Sequence, residues 1–420
     1  MRVVVVGAGY SGTVAAVELA RRGLEPVLIE KSGRFAAGAA YSTTEPGHLL
    51  NVRARNMSAL AGDPDHFTRW AGGEGYGADD YVPRRDFGRY LAELLNGAAV
   101  RRVSGEAVAV ERGAVRLASG EQVAFDQAVL AGGNYAGRLP AVLGGLEAVL
   151  VDDPWSAEGA TGVKAAAAHG GDVLLLGTGL TMVDMAVTLA AAGHQGRMIA
   201  TSRRGLVPRA HVQPAPKPLD FEPPERLGEL LRSVRALVPW RAAVDGLRPH
   251  SVALWRGLSG AERRRFLRHL RPWWDVHRHR IAPAVAARIE ELRGSGRLEV
   301  VAGRIQGAEE DSVTIARRGG GELKASVAAV INCTGPEGDI GRVRDPLIRQ
   351  LLESGAARPD PLRLGLDVDE ESRVISREGA SSPDLYAIGP LSKGAFWEIV
   401  AVPDIRSQVR GVAEAIAAGR

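Results

Sequence analysis

The chain has 420 residues, 45% hydrophobic and 24% charged, with a formal net charge of +4. That length exceeds one compact core and points to two domains, while aromatics at 5% argue against a nucleic-acid face, which needs rings interleaved in a concentrated basic surface. One cysteine, Cys333, excludes an internal disulfide framework, a redox cysteine pair and a multi-cysteine zinc site, and fits a reducing, cytoplasmic setting.

The first strand is expected at Val3–Val6, β-branched throughout as a strand covered on both faces should be. Gly7-Ala8-Gly9-Tyr10-Ser11-Gly12 follows, then a helix over 13–22 and a second strand over 26–30 that ends in Glu30 and Lys31. Gly7 permits the turn, Gly9 admits a pyrophosphate and Gly12 lets the helix lie near the strand. Phosphates meet the free N–H groups of the helix N-terminus, and Glu30 sits where an acid accepts from ribose hydroxyls. The stretch 32–83 is loop-rich and includes Asn51, Arg53, Arg55 and Asn56. A short helix over 86–95, a hairpin over 108–126 turning at Ser119-Gly120, and a strand over 128–131 ending at Gly132-Gly133 come next.

The order then repeats. Strand 173–176 runs into Gly177-Thr178-Gly179-Leu180-Thr181-Met182, followed by a helix over 182–192 and a strand over 198–200. Met182 stands where a third glycine would be. The matching acidic position reads Ser202-Arg203-Arg204, which suits a 2′-phosphate that an acid would repel. NADPH is therefore expected over NADH. A Pro-rich stretch leads into a helical segment over 226–292, rich in Arg and Trp, expected to cover the NADPH or to form an oligomer contact. Strands 298–302 and 327–331 follow, the latter ending Cys333-Thr334-Gly335. A strand over 385–388 ends at Gly389-Pro390, and a last helix over 403–418 could aim its N-terminus, with Asp404 and Ile405, at a cofactor. No apolar run reaches the roughly 18 residues of a membrane span, and no charged, apolar and cleavable leader is read at the N-terminus.

These features resemble the flavoproteins with two dinucleotide-binding domains, which include glutathione-reductase-like reductases and flavin N-hydroxylating monooxygenases. A closer resemblance is to a bacterial family of FAD/NAD(P)-binding proteins, carried by His48-Leu49-Leu50-Asn51-Val52, Gly177 to Asp184, Ser202 to Leu206, His277 to Pro283, and Phe396-Trp397-Glu398 with Val402 to Arg406. The resemblance implies an α/β fold of two Rossmann-like domains with a helical insert. Its parts are an FAD domain over 1–150 and 336–420, an NADPH domain over 151–210 and 296–335, and an insert over 211–295. It implies FAD at the first loop and NADPH at the second. It also departs from the class, because Pro390 stands where an Asp usually meets the flavin ribityl chain.

With disulfide relay excluded, a reduced flavin is left with oxygen or a small organic oxidant. The expected function is an FAD-dependent, NADPH-reduced monooxygenase acting on a small amine or amino acid. An NADPH-flavin reductase or oxidase, and a non-catalytic flavin-binding sensor, remain as alternatives. The substrate site is expected where Arg53 and Asn56 meet Trp397 and Glu398, Arg for a carboxylate and Glu398 for an amine.

Overall fold

A computed structural model describes residues 1–419. Two mixed sheets, parallel at their centres and antiparallel at one edge, form the frame. The first runs β15-β16-β7-β1-β2-β3 and the second β13-β12-β11-β10-β9-β14-β8. In the first sheet β1 is Arg2–Val6, β2 Glu25–Glu30 and β3 Arg101–Ser104, and β7 is Gln127–Leu130. Strands β15 (Arg373–Ile375) and β16 (Ser381–Ala387) complete it. In the second sheet β8 is Val149–Val151, β9 Val173–Leu176, β10 Met198–Ser202 and β11 Leu298–Glu309, with β12 (Ser312–Arg317), β13 (Glu322–Ser326) and β14 (Ala329–Asn332). The expected α/β fold with two dinucleotide-binding domains is what the chain adopts.

Residue alternation explains why β1 and β9 carry no polar residue past their first positions. Val3 and Val5 join the core beneath helices Tyr10–Arg21, Arg84–Asn96 and Val402–Ala418, while Val4 and Val6 join the core on the opposite face. Val173 and Leu175 likewise face one core and Leu174 and Leu176 the other. A strand covered on both faces must be apolar at every step.

The domain of the second sheet interrupts the domain of the first, and the two connecting segments touch at an antiparallel bridge between Ala136 and Pro336. Three expectations need correction. Residue 150 falls inside β8, which pairs with β14, so the first boundary lies a few residues earlier. Helix Pro283–Gly294 buries Ile289 and Leu292 in the core of the second sheet, so the insert ends near Ile281 rather than at 295. The expected hairpin over 108–126 is three strands, β4 (Ala107–Glu111), β5 (Ala114–Leu117) and β6 (Gln122–Ala124), because Gly113 turns the chain before Gly120 does.

Between these, helices Leu227–Ala236, Trp240–Gly246, Ser251–Gly257 and Arg271–Arg278 form the insert. Its core of Leu227, Trp255 and Leu258 closes over Trp397 of the FAD domain. No helix among the described residues is long and apolar enough to cross a membrane.

Candidate active site

Both sheets reverse their strand order beside the glycine loops, between β1 and β7 and between β9 and β14. In open α/β sheets the crevice at such a reversal is where ligands settle. The loops are built alike. Gly7 (φ +98°) packs so tightly against the Ala131 carbonyl that a Cβ would lie 2.6 Å from its oxygen. Gly177 (φ +124°) stands in the same relation to the Cys333 carbonyl, and a Cβ there would overlap it. A Cβ on Gly12 would overlap the Gly7 carbonyl, whereas Met182 is fully buried at the matching place, so only the first helix is pressed onto its loop.

Helix Tyr10–Arg21 starts at Gly9 and helix Leu180–Ala191 at Gly179, neither with a side-chain cap. Helices Ala157–His169 and Pro346–Ser354, by contrast, are capped by Ser156 and Asp345. Uncapped N–H groups beside a glycine with open space form a phosphate cradle. A Cβ on Gly179 would meet nothing within 4 Å.

A cavity of about 530 Å³ extends from the first loop. Gly7, Gly9, Ser11, Glu30, Lys31, Gly132, Pro390 and Ile405 line it as expected, with Val402 at the start of the C-terminal helix. Glu30 accepts from the Ala8 N–H at 2.8 Å and from the Ser32 N–H and hydroxyl, which fixes the carboxylate at the mouth of the loop. Gly12 and Gly389 lie behind the lining. Gly389 (φ +64°) is pressed on the Ser11 hydroxyl, and its N–H donates to Gln408. Sequence reasoning missed Tyr41, Asn134, Tyr135 and Asp345, which also line the cavity. Burial pushes the Asp345 carboxyl up, against the Ile348 and Leu347 N–H groups it caps. The Asp345-Pro346 pair was a readable helix start.

At the second loop, Arg203 is exposed and Arg204 lies half-buried with its Cζ 6.0 Å from the Trp273 ring. Neither has an acidic partner among the described residues. Ser202 is the exception to the expectation. Its hydroxyl accepts from the Gly205 N–H and shares a 2.8 Å hydrogen bond with Thr178, so it holds the turn that presents the two arginines. Leu180 and Thr181 lie half-exposed at the helix N-terminus, and Gly335 (φ +86°) has open space on its Cβ side.

The expected substrate site does not assemble. Glu398, 2% exposed, accepts from the Trp274 indole at 2.8 Å and lies 3.1 Å from Arg278. Burial pulls its carboxyl up, but Arg278, His279 and the Trp274 N–H outweigh that and hold it below its ordinary value. Trp397 stacks on Trp255 with centroids 4.8 Å apart, at a strained φ of +28°. Arg53 instead donates to the Val212 carbonyl and lies 3.4 Å from Asp79, and Asn56 is exposed. Asn51 offers its carbonyl to His211, and Asp404 pairs with Arg248 at 2.9 Å. These contacts lock the insert onto the FAD domain, a long-range packing that no local spacing reveals.

Residues 4–135 match the family described as FAD-NAD(P)-binding. No curated protein matches the chain. Among solved structures, the chain resembles the FAD-bound cadaverine monooxygenase of Erwinia amylovora, with a TM-score of 0.68 and 12% identity over 100% of this chain and 94% of that one. It also resembles the ornithine N-hydroxylase of Kutzneria sp. 744, solved with reduced FAD, NADP+ and L-ornithine (TM-score 0.64, 16% identity, 99% and 98% covered). A thioredoxin reductase of Lactococcus lactis matches at a TM-score of 0.54 and 13% identity over 100% and 99%. These likenesses establish the two-domain Rossmann fold over the whole chain.

Proposed function

We propose that the protein is an FAD-dependent, NADPH-reduced monooxygenase that hydroxylates a small amine or amino acid, with molecular oxygen as co-substrate, and that it works in the cytoplasm. The observation that carries this reading is the pair of glycine cradles, each at a strand-order reversal, with a cavity of about 530 Å³ at the first. Its residues fit FAD. Uncapped N–H groups after Gly9 would hold the pyrophosphate, Glu30 the adenosine ribose, and Asp345 the ribityl chain. The N-terminus of helix Val402–Ala418 would face the ring through Val402 and Ile405, where a helix N-terminus favours negative charge. At the second cradle Gly179 would admit the NADPH pyrophosphate, and Arg203 and Arg204 the 2′-phosphate. Bound FAD supplies hydride acceptance and oxygen activation, and the chain supplies position and a dry enclosure.

Amine-hydroxylating and disulfide-reducing neighbours both match this chain from end to end, and the higher TM-scores of the former, 0.68 and 0.64 against 0.54, support monooxygenation over disulfide reduction. The lone thiol supports the same choice. Cys333 is buried beneath Gly177, and burial pushes its thiol well up, so it supplies no reactive thiolate. The test is NADPH consumption by the FAD-loaded protein against a panel of diamines, primary amines and amino acids, with hydroxylamine product and peroxide both measured. One amine that raises hydroxylamine in step with NADPH use is the expected result. Peroxide alone with every candidate would make the protein an oxidase.

A further inference from the structure

Arg53, expected on the Trp397 side, lies instead with Arg280 of the insert, where residues 1–150, the Pro-rich linker and the insert meet. Arg53 and Arg280 are 8% and 4% exposed. The Nε of each, and the buried Tyr81 hydroxyl, have no hydrogen-bond partner among the described residues, the Arg53 Nε having only an ion-pair contact at 3.4 Å with the largely exposed Asp79. Arg53, Tyr81 and His211 are close neighbours, and Arg280 precedes Ile281, whose carbonyl accepts from the His211 N–H at 2.9 Å. Arg53 Cζ lies 5.5 Å from the Tyr81 ring centroid, and the Tyr81 and His211 rings lie 5.2 Å apart. Burial pushes the Tyr81 phenol up while Arg53 and Arg280 both pull it down.

Everything else in the cluster is accounted for. His211 lies 2.9 Å from the Asn51 carbonyl, and burial followed by Arg280 holds its imidazole down at about 4, so it is neutral. Arg241 donates twice to the Ala210 carbonyl. Asp245 pairs with Arg280 through the other end of the guanidinium, and Asp79, largely exposed, is shared between Arg53 and Arg55. Four arginines thus face two carboxylates, one of them at the surface.

An arginine Nε can only donate, and a phenol donates readily. Buried donors without acceptors are costly, and charged ones more so. One acceptor with several lone pairs and negative charge would satisfy all three. We propose that Arg53, Arg280 and Tyr81 form a binding site for the oxyanion of a small ligand, a carboxylate or a phosphate. From the proposed function this takes only that the anion belongs to a substrate or to NADPH.

The test uses the full-length FAD-loaded protein and inorganic phosphate, titrated by calorimetry. Saturable binding that weakens tenfold or more in both Tyr81→Phe and Arg280→Lys is the expected result. Tyr81→Phe removes an atom without a partner, so its melting temperature stays level or rises, and loss of binding there is not loss of fold. Phosphate held at the Gly177 loop would be insensitive to both changes. Displacement by NADP+ assigns the site to a nucleotide phosphate. Displacement by acetate and not by NADP+ assigns it to a carboxylate ligand. Equal phosphate affinity in all three proteins, or displacement by neither competitor, overturns the proposal.

Discussion

Arg84 and Asp184 form a two-pronged ion pair across the domain seam, at 2.8 and 3.1 Å, each side chain largely buried. Arg84 lies at the start of helix Arg84–Asn96 in the domain of the first sheet, and Asp184 on the helix that follows the second glycine loop. His48 adds to the seam by bonding the Asp184 carbonyl at 3.0 Å and the Thr188 hydroxyl at 2.9 Å. Polar contacts thus help to hold the two cradles together across the seam. Breaking one side of a buried pair leaves an uncompensated charge, which typically costs about 3 kcal/mol or more. Arg84→Ala should lower the unfolding free energy by that order in urea denaturation, while an Arg84→Met/Asp184→Leu double variant should recover most of it.

The glycines separate fold from binding. Gly12→Ala places a methyl on the Gly7 carbonyl, so the helix must lift and the first cradle must open. Purified Gly12→Ala should hold at least about tenfold less FAD per chain, or fail to accumulate. Gly179→Ala meets open space, so its stability and FAD content should match wild type. Its NADP+ affinity should fall by about tenfold, because the methyl enters the path of the pyrophosphate. Equilibrium binding alongside visible flavin content distinguishes the two.

Lys393 sits with its ammonium 4.9 Å from the Trp397 ring centroid. Burial, and then Arg271, hold its pKa down at about 8 against an ordinary 10.5. Between those values the unfolded chain binds a proton that the folded chain does not, so stability rises with pH across that window. Below pH 8 the lysine is charged in both states and its burial cost is felt in full. Wild type should gain stability from pH 7 to 10 relative to Lys393→Met by at least about 1 kcal/mol, read from denaturation midpoints at each pH. Glu398→Ala should lose stability at every pH, since it strands Arg278 and the Trp274 N–H. A pure substrate defect with unchanged stability would instead restore the amine-binding role expected for Glu398.

Much of the frame was legible because it is written locally. Val3–Val6 and Val173–Leu176 are apolar at every position for a reason of strand geometry, and the loops after them need glycine for a reason of atomic overlap. The place of the cavity followed from those loops and from Glu30. The substrate side did not follow, because the fates of Arg53, Trp397 and Glu398 depend on where the insert folds back. Trp255, Trp274 and Arg278 reach residues more than a hundred positions away, and no spacing rule encodes that return. Ser202 was misread for the opposite reason, since a hydroxyl in a tight turn is drawn to the nearest N–H before any ligand.

The central claim is that hydride passes between two nucleotides held by the Gly7 and Gly177 cradles. Mixing the FAD-loaded protein with NADPH without oxygen, and following the visible flavin absorbance in a stopped-flow instrument, tests it directly. The account predicts rapid bleaching by NADPH, slower bleaching by NADH, and an inverted preference in Arg203→Glu/Arg204→Glu, since each charged contact to the 2′-phosphate contributes roughly tenfold in affinity. Protein that binds no FAD, or bound flavin that neither nicotinamide bleaches, would contradict it.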